Sequence, residues 1–167
     1  MQIFLVRHAE AVDETLTLRD PQRHLTPHGR LQARALGDRM RWHDCHPTHV
    51  WSSPLVRAVQ TAEIAISAFG AEGPLEIHPG LVPEARVSAA AQLVDDHVGE
   101  TLALVGHQPL MGALAAFLLG LGSVPAGLEP GAILALDLPE APDDPAPRIA
   151  WHLRPGEKPQ LLVPPEG

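Results

Sequence analysis

Ile3-Phe4-Leu5-Val6-Arg7-His8 is the stretch on which the fold turns. Four apolar residues, β-branched and aromatic members among them, run without a polar interruption and stop at a cation and an imidazole. So short and continuous a run reads as a strand buried on both faces of a parallel sheet. In open α/β sheets, ligands bind at the carboxyl ends of the strands, which is where Arg7 and His8 stand. Taken alone, the pair reads equally well as a surface charge and a turn residue, so the rest of the chain has to decide.

Outward from that run the pattern repeats. Ala9 to Leu25 is polar and aperiodic and reads as a loop; Thr26-Pro27 then supplies a hydroxyl N-cap and a proline at the first helical position, opening a helix to about Trp42. His49 to Ser52 reads as a second strand, followed by Ser53-Pro54 as another helix start. That helix runs to about Phe69 with an apolar stripe of Leu55, Val59, Ala62, Ile66 and Phe69, from which Arg57 falls away. Leu75 to His78 is a third strand, Pro79 to Arg86 a turn-rich connection, and Val87 to about Val98 a helix with a weak stripe. Thr101 to Val105 is another buried run, ending at Gly106-His107. Gln108-Pro109 then opens a helix with a stripe of Leu110, Leu114, Phe117, Leu118 and Leu121. Gly131 to Leu138 and Arg148 to Leu153 bracket a turn and form an antiparallel edge hairpin, and residues 155–167 read as an irregular proline-rich tail. Alternating strands and helices predict a three-layer α/β/α sandwich with a mostly parallel sheet, and residues 1–167 read as a single domain.

Composition narrows the function. An apolar fraction of 45% over 167 residues suits a globular chain. No apolar run approaches the roughly 20 residues of a bilayer span, and no basic region precedes the first apolar run, so a cytoplasmic protein without a membrane partner is expected. A formal net charge of -8 argues against a nucleic-acid partner. The lone cysteine, Cys45, excludes an internal disulfide and reads as a structural thiol, and Lys158 is the only lysine.

Parallel connectivity gathers Arg7, His8, Arg57 and His107 at one sheet edge. Two guanidinium groups and two imidazoles beside helix N-termini describe a site for a dianion such as phosphate. With a phosphoryl group there, one histidine suits the nucleophile and the arginines the equatorial oxygens; the second histidine, if cationic, donates to one of them. No metal or other cofactor is required, and the chain has neither a P-loop nor a G-x-G-x-x-G. His43, Asp44, Cys45, His46 and His49 fit no zinc spacing and read as surface residues. Trp151 and Met111 read as packing; Arg19 and His28, flanking the loop after His8, are candidates to extend the pocket.

The residues also carry a resemblance. Leu5-Val6-Arg7-His8-Ala9-Glu10, Ser52-Ser53-Pro54-Leu55-Val56-Arg57-Ala58-Val59-Gln60-Thr61-Ala62 and Val105-Gly106-His107 resemble, in order, three signatures of the histidine phosphatase superfamily, which has the phosphoglycerate mutase-like fold. Within it the resemblance narrows to SixA-type phosphohistidine phosphatases, through Leu25-Thr26-Pro27-His28-Gly29, Gly106-His107-Gln108-Pro109-Leu110 and the Trp151 strand. It implies that His8 accepts the phosphoryl group, that Arg7 and Arg57 bind its oxygens, and that His107 is the second imidazole. The short connection between the third and fourth strands leaves no room for the lid of the mutases. The implied partner is a histidine-phosphorylated protein domain of a phosphotransfer or sugar-transport relay, hydrolysed without a metal. The alternative is a small phosphorylated molecule cleaved with Glu84 as general acid, because phosphoester-cleaving members carry an acid after the third strand. Glu84 reads otherwise as a solvated loop carboxylate.

Overall fold

In the computed structural model, which describes residues 1–70, 74–123 and 127–157, the opening run becomes β1 (Gln2–Arg7), buried from Ile3 to Val6. The chain continues through α1 (Pro27–Trp42), β2 (His49–Ser52), α2 (Val56–Phe69), β3 (Leu75–Ile77), α3 (Val87–Asp95), β4 (Thr101–Gly106), α4 (Leu110–Leu118), β5 (Ile133–Asp137) and β6 (Arg148–Leu153). Single 3₁₀ turns occupy Asp20–Gln22 and Pro79–Leu81. The expected loop from Gly70 to Pro74 and the tail from Pro155 lie partly outside the described residues.

Among the described residues the six strands form one sheet in the order β3-β2-β4-β1-β5-β6. The first four run parallel; β5 is antiparallel to β1 and β6 to β5, the expected edge hairpin. Side-chain alternation along the central strands feeds two cores. Ile3, Leu5, Leu102 and Leu104 pack with Leu110 and Leu114 of α4 and Leu93 of α3, while Phe4, Val6, Ala103 and Val105 pack with Leu36 of α1 and Ala58 and Ala62 of α2. The three-layer sandwich expected from the sequence is the fold observed. No described helix is long and apolar enough to cross a membrane.

Register is what positions the strand ends. Arg7 pairs with Gly106 across β1 and β4, and Ser52 pairs with Val105 across β2 and β4. The ladders run one residue further: His8 N donates to Gly106 O at 3.0 Å and Ser53 N to Val105 O at 2.9 Å. Backbone hydrogen bonds therefore fix the residues bearing both histidines' neighbours before any side chain acts.

Several elements depart from the expected boundaries. α2 begins at Val56, two residues late, because Ser53 is not its N-cap; the hydroxyl of Ser53 is turned to His107. Its buried face is Ala58, Thr61, Ala62 and Ala65 with Arg57, rather than the larger stripe residues, of which Val59, Ile66 and Phe69 are only half-buried. The cause is the close crossing of α1: a Cβ on Gly37 would stand 2.4 Å from Ala65 O, so the seam admits only small side chains. In α4 the buried face includes Met111 and Ala115, which turns Phe117 outward, and the helix ends before Leu121; these two are 60% and 49% exposed. α3 stops at Asp95, leaving Val98 exposed, and β3 stops at Ile77.

α1 is held against the backbone just past His8. Thr26 caps it by accepting from Gly29 N at 2.9 Å, and a Cβ on Gly29 would meet Glu10 O at 1.9 Å. Gly29→Ala should therefore destabilise by about 2 kcal/mol through overpacking against backbone. Gly122→Ala, where no atom of the described residues lies within 4 Å, should stay close to wild type, with urea unfolding as the measurement.

Candidate active site

The edge formed by the ends of β1, β2 and β4 gathers the two histidines and two arginines singled out from the sequence. The rings of His8 and His107 pack with centroids 4.9 Å apart, and both side chains are buried. Arg57 reaches them from the first turn of α2, where it is 4% exposed. It belongs to the buried side of that helix and not, as expected, to a direction of its own.

Each group is held by named partners. His8 Nδ1 lies 2.7 Å from Ala9 O, an acceptor only, so Nδ1 carries the proton and Nε2 keeps its lone pair. Arg57 Nε donates to that lone pair at 3.2 Å. The rest of the Arg57 guanidinium donates to Asp20, from Nη1 to the carbonyl at 2.9 Å and from Nη2 to the carboxylate at 3.3 Å. Arg23 binds the other oxygen of Asp20 at 3.0 Å. Arg7 Nη1 donates to Leu128 O at 2.8 Å, while its Nε is buried without a partner among the described residues. His107 Nε2 lies 2.8 Å from Ser53 Oγ, and its Nδ1 is buried without a partner among the described residues.

These surroundings set the charges. Burial pushes the His8 imidazole down to about 4, opposed by the Ala9 carbonyl and aided by Arg57, Arg7 and Arg23. Burial, then His8 and Arg57, pushes His107 down to about 3. Both imidazoles are thus neutral in the ligand-free protein at neutral pH, so the second is a neutral partner and not the cation the sequence allowed for. Burial alone would raise Asp20, but its bond to Arg23 and the charge of Arg57 outweigh that and hold it ionised. The result is a bare imidazole nitrogen flanked by guanidinium donors, an arrangement that can receive a phosphoryl group and stabilise its oxygens.

None of the other candidates is bonded to these four side chains among the described residues. Glu84 is exposed on the turn after β3 and makes no hydrogen bond or ion pair among the described residues. Arg19 is exposed and pairs with Glu14 at 3.9 Å; His28 is exposed on the first turn of α1. His43, Asp44, Cys45, His46 and His49 do not converge. His43 stacks on Trp151 at 4.3 Å, His46 pairs with Asp44 at the surface, and His49 stacks on Trp51 at 5.0 Å. The buried Cys45 thiol is pushed up to about 12 by burial and then by Asp44.

Sequence reasoning missed four contributors, Asp20, Arg23, Ser53 and Thr61. Asp20 sits in a stretch read only as loop, and nothing local signals its reach to Arg57. Ser53 and Thr61 lie inside the second signature, where Ser53 reads as a helix start and nothing local marks Thr61. Thr61 Oγ1 accepts from Ala9 N at 3.0 Å and donates to Arg57 O at 2.7 Å, tying the backbone past His8 to that of Arg57.

Comparison with known proteins bears on the family and the fold. A model of the histidine phosphatase superfamily (branch 1) matches residues 3–82, a span that includes Arg7, His8 and Arg57. An uncharacterized protein of Picosynechococcus sp. (strain ATCC 27264 / PCC 7002 / PR-6) is 31% identical over 118 residues, 69% of this chain and 71% of that one. Phosphohistidine phosphatase SixA of Escherichia coli (strain K12) is 28% identical over 144 residues, 84% of this chain and 88% of that one. Among solved structures, the protein histidine phosphatase SixA complexed with tungstate superimposes with a TM-score of 0.83 at 25% identity, over 93% of this chain and 97% of that one.

The neutral imidazoles make a prediction about acid stability. The unfolded chain protonates its histidines near pH ~6.5, whereas the fold refuses protons at His8 and His107 until about 4 and about 3. Between those limits the unfolded state binds more protons, so stability should fall as pH drops from about 6.5 toward about 4. Urea unfolding across that window should show the decline, and it should be shallower in His107→Gln; an unchanged slope would contradict the assigned protonation states.

Proposed function

This chain belongs to the histidine phosphatase superfamily and is a phosphatase, and from that premise we propose that it hydrolyses phosphohistidine on another protein, with His8 as the phosphoryl acceptor. The observation that carries the reading is the pairing of a bare nucleophile with an ionised carboxylate. His8 Nε2 is unprotonated, its lone pair held by Arg57 Nε until a phosphoryl group takes that donor, while the carboxylate bound to Arg57, Asp20, is held deprotonated by Arg23 and Arg57 and has no proton to give. An alkoxide leaving group needs such a proton from the protein; the imidazole of a phosphohistidine can take one from water.

In the first step the lone pair of His8 Nε2 attacks phosphorus and the P–N bond to the substrate imidazole breaks. Its electron pair stays on the departing nitrogen, which solvent protonates. Arg57 turns its donors from His8 Nε2 and Asp20 to the phosphoryl oxygens, and the unpartnered Nε–H of Arg7 meets another. Ala9 O steadies the positive charge that develops on the His8 ring by holding its Nδ1–H. In the second step water attacks phosphorus, His8 leaves with its electron pair, and phosphate departs. No metal takes part in either step. The partner is the phosphohistidine-bearing domain of a phosphotransfer or sugar-transport relay; SixA, similar over most of the chain, is named for this activity.

Rates of phosphate release from a histidine-phosphorylated phosphotransfer domain, from phosphoramidate and from a panel of sugar phosphates test the proposal. The protein domain should be preferred without added metal, and His8→Ala should lose about a thousandfold or more. Glu84→Gln should stay within about twofold, since a general acid contributes roughly a hundredfold or more where one is used. Preference for a sugar phosphate, with a large loss in Glu84→Gln, would replace this reading with phosphoester hydrolysis.

A further inference from the structure

Ser53 is completely buried at the end of β2, where a polar side chain must satisfy its hydroxyl inside the protein. Its Oγ accepts from Leu55 N at 3.3 Å, a long bond, and lies 2.8 Å from His107 Nε2. A serine hydroxyl has one proton to donate, and among the described residues His107 Nε2 is the acceptor within its reach. The neighbouring Ser52 hydroxyl does not compete for that acceptor, because it donates to Ser53 O at 2.9 Å. The hydroxyl therefore donates to Nε2, which must be unprotonated. In a neutral imidazole the proton is then on Nδ1, and that N–H is buried with no partner among the described residues, on the ring packed 4.9 Å from His8. A buried donor left without an acceptor is destabilising, so its presence needs a ligand to account for it.

We propose that Ser53 is a positioning residue that fixes His107 as the Nδ1–H tautomer, so that a neutral imidazole presents a donor to a phosphoryl oxygen. The proposal rests on the phosphoryl-transfer reading above and deepens it. The two histidines of the site are then locked by neighbours in complementary ways. Ala9 O takes the Nδ1 proton of His8 and exposes a lone pair for attack, whereas Ser53 Oγ occupies the Nε2 lone pair of His107 and exposes an N–H for binding. Two chemically identical side chains acquire opposite roles without either being charged. The arrangement also explains why Ser53 does not cap α2: its hydroxyl is committed across the strand ends, and the helix begins at Val56 without a side-chain cap.

Long-range proton–nitrogen correlation spectra of nitrogen-labelled protein near neutral pH read the tautomer directly. Wild-type His107 should show a protonated Nδ1 and a bare Nε2. In Ser53→Ala the ring should exchange into the Nε2–H form, and inorganic phosphate, the probe ligand, should bind about tenfold more weakly, the equivalent of one lost hydrogen bond. Ser53→Thr, which keeps the hydroxyl, should restore both. A protonated Nε2 on His107 in the wild type overturns the proposal whatever the activity, and so does a Ser53→Ala protein with an unchanged tautomer and unchanged phosphate affinity. Neither measurement requires turnover, so failure to hydrolyse phosphohistidine would count against the substrate reading and leave this test intact.

Discussion

The alignment of three strand ends is the constraint on which the site depends. β4 lies between β1 and β2, and the pairings Arg7 with Gly106 and Ser52 with Val105 bring His8, His107 and Ser53 to one level of the sheet. A slip of one residue in either ladder would move a histidine or its serine partner to the opposite face. Both faces of these strands are buried, so such a slip would also exchange Ile3 and Leu5 with Phe4 and Val6 between two cores shaped for different side chains; the hydrophobic cores thereby enforce the register of the strand ends. Function and stability share this part of the molecule. The close approach of Gly29 to Glu10 and the Thr61 bridge from Ala9 to Arg57 extend the same rigidity to the loop after His8 and to α2.

Much of this was legible in the sequence because it rests on local signals. Continuous apolar runs marked β1 and β4, hydroxyl-proline pairs marked the start of α1, and the positions following each strand named Arg7, His8 and His107. β2, α1 and β6 fall where the sequence put them, since each is bounded by residues with strong local preferences. The helix faces were less legible. The stripe on α2 pointed to the bulky residues, but Gly37 of α1 selects small ones at the crossing, a choice that depends on a contact far away in sequence. The exposure of Phe117 likewise depends on how α4 lies on the sheet.

The site was half legible for the same reason. Residue types suited to phosphate chemistry could be found by spacing, but the partners that tune them could not. Asp20 reaches Arg57 from a loop with no periodicity, and Ser53 meets His107 across 54 positions of chain. Ser53 illustrates a general difficulty: a serine before proline is a familiar helix start, and here the local preference is overridden because a buried imidazole needs the hydroxyl more than the helix does. Charge state was hidden for the same cause, as burial and not composition makes His107 neutral.

The chain as a whole carries a formal charge of -8, yet the ligand it is built to receive is an anion. The two facts are compatible because they act at different ranges. At physiological ionic strength, exposed charges are largely screened beyond about 8 Å, so the acidic surface contributes little at the strand ends. Inside the site the dielectric is lower and the donors of Arg7, Arg57 and His107 act at contact. Arg57 is already satisfied by Asp20 and His8 in the free protein, so binding exchanges one set of hydrogen bonds for another and does not create a full set from water. Only the difference between the two sets favours the ligand. In the phosphoryl transfer proposed above, charge spreads over the equatorial oxygens, so donors supplied by Arg7, Arg57 and His107 would favour the transferring group over the resting one.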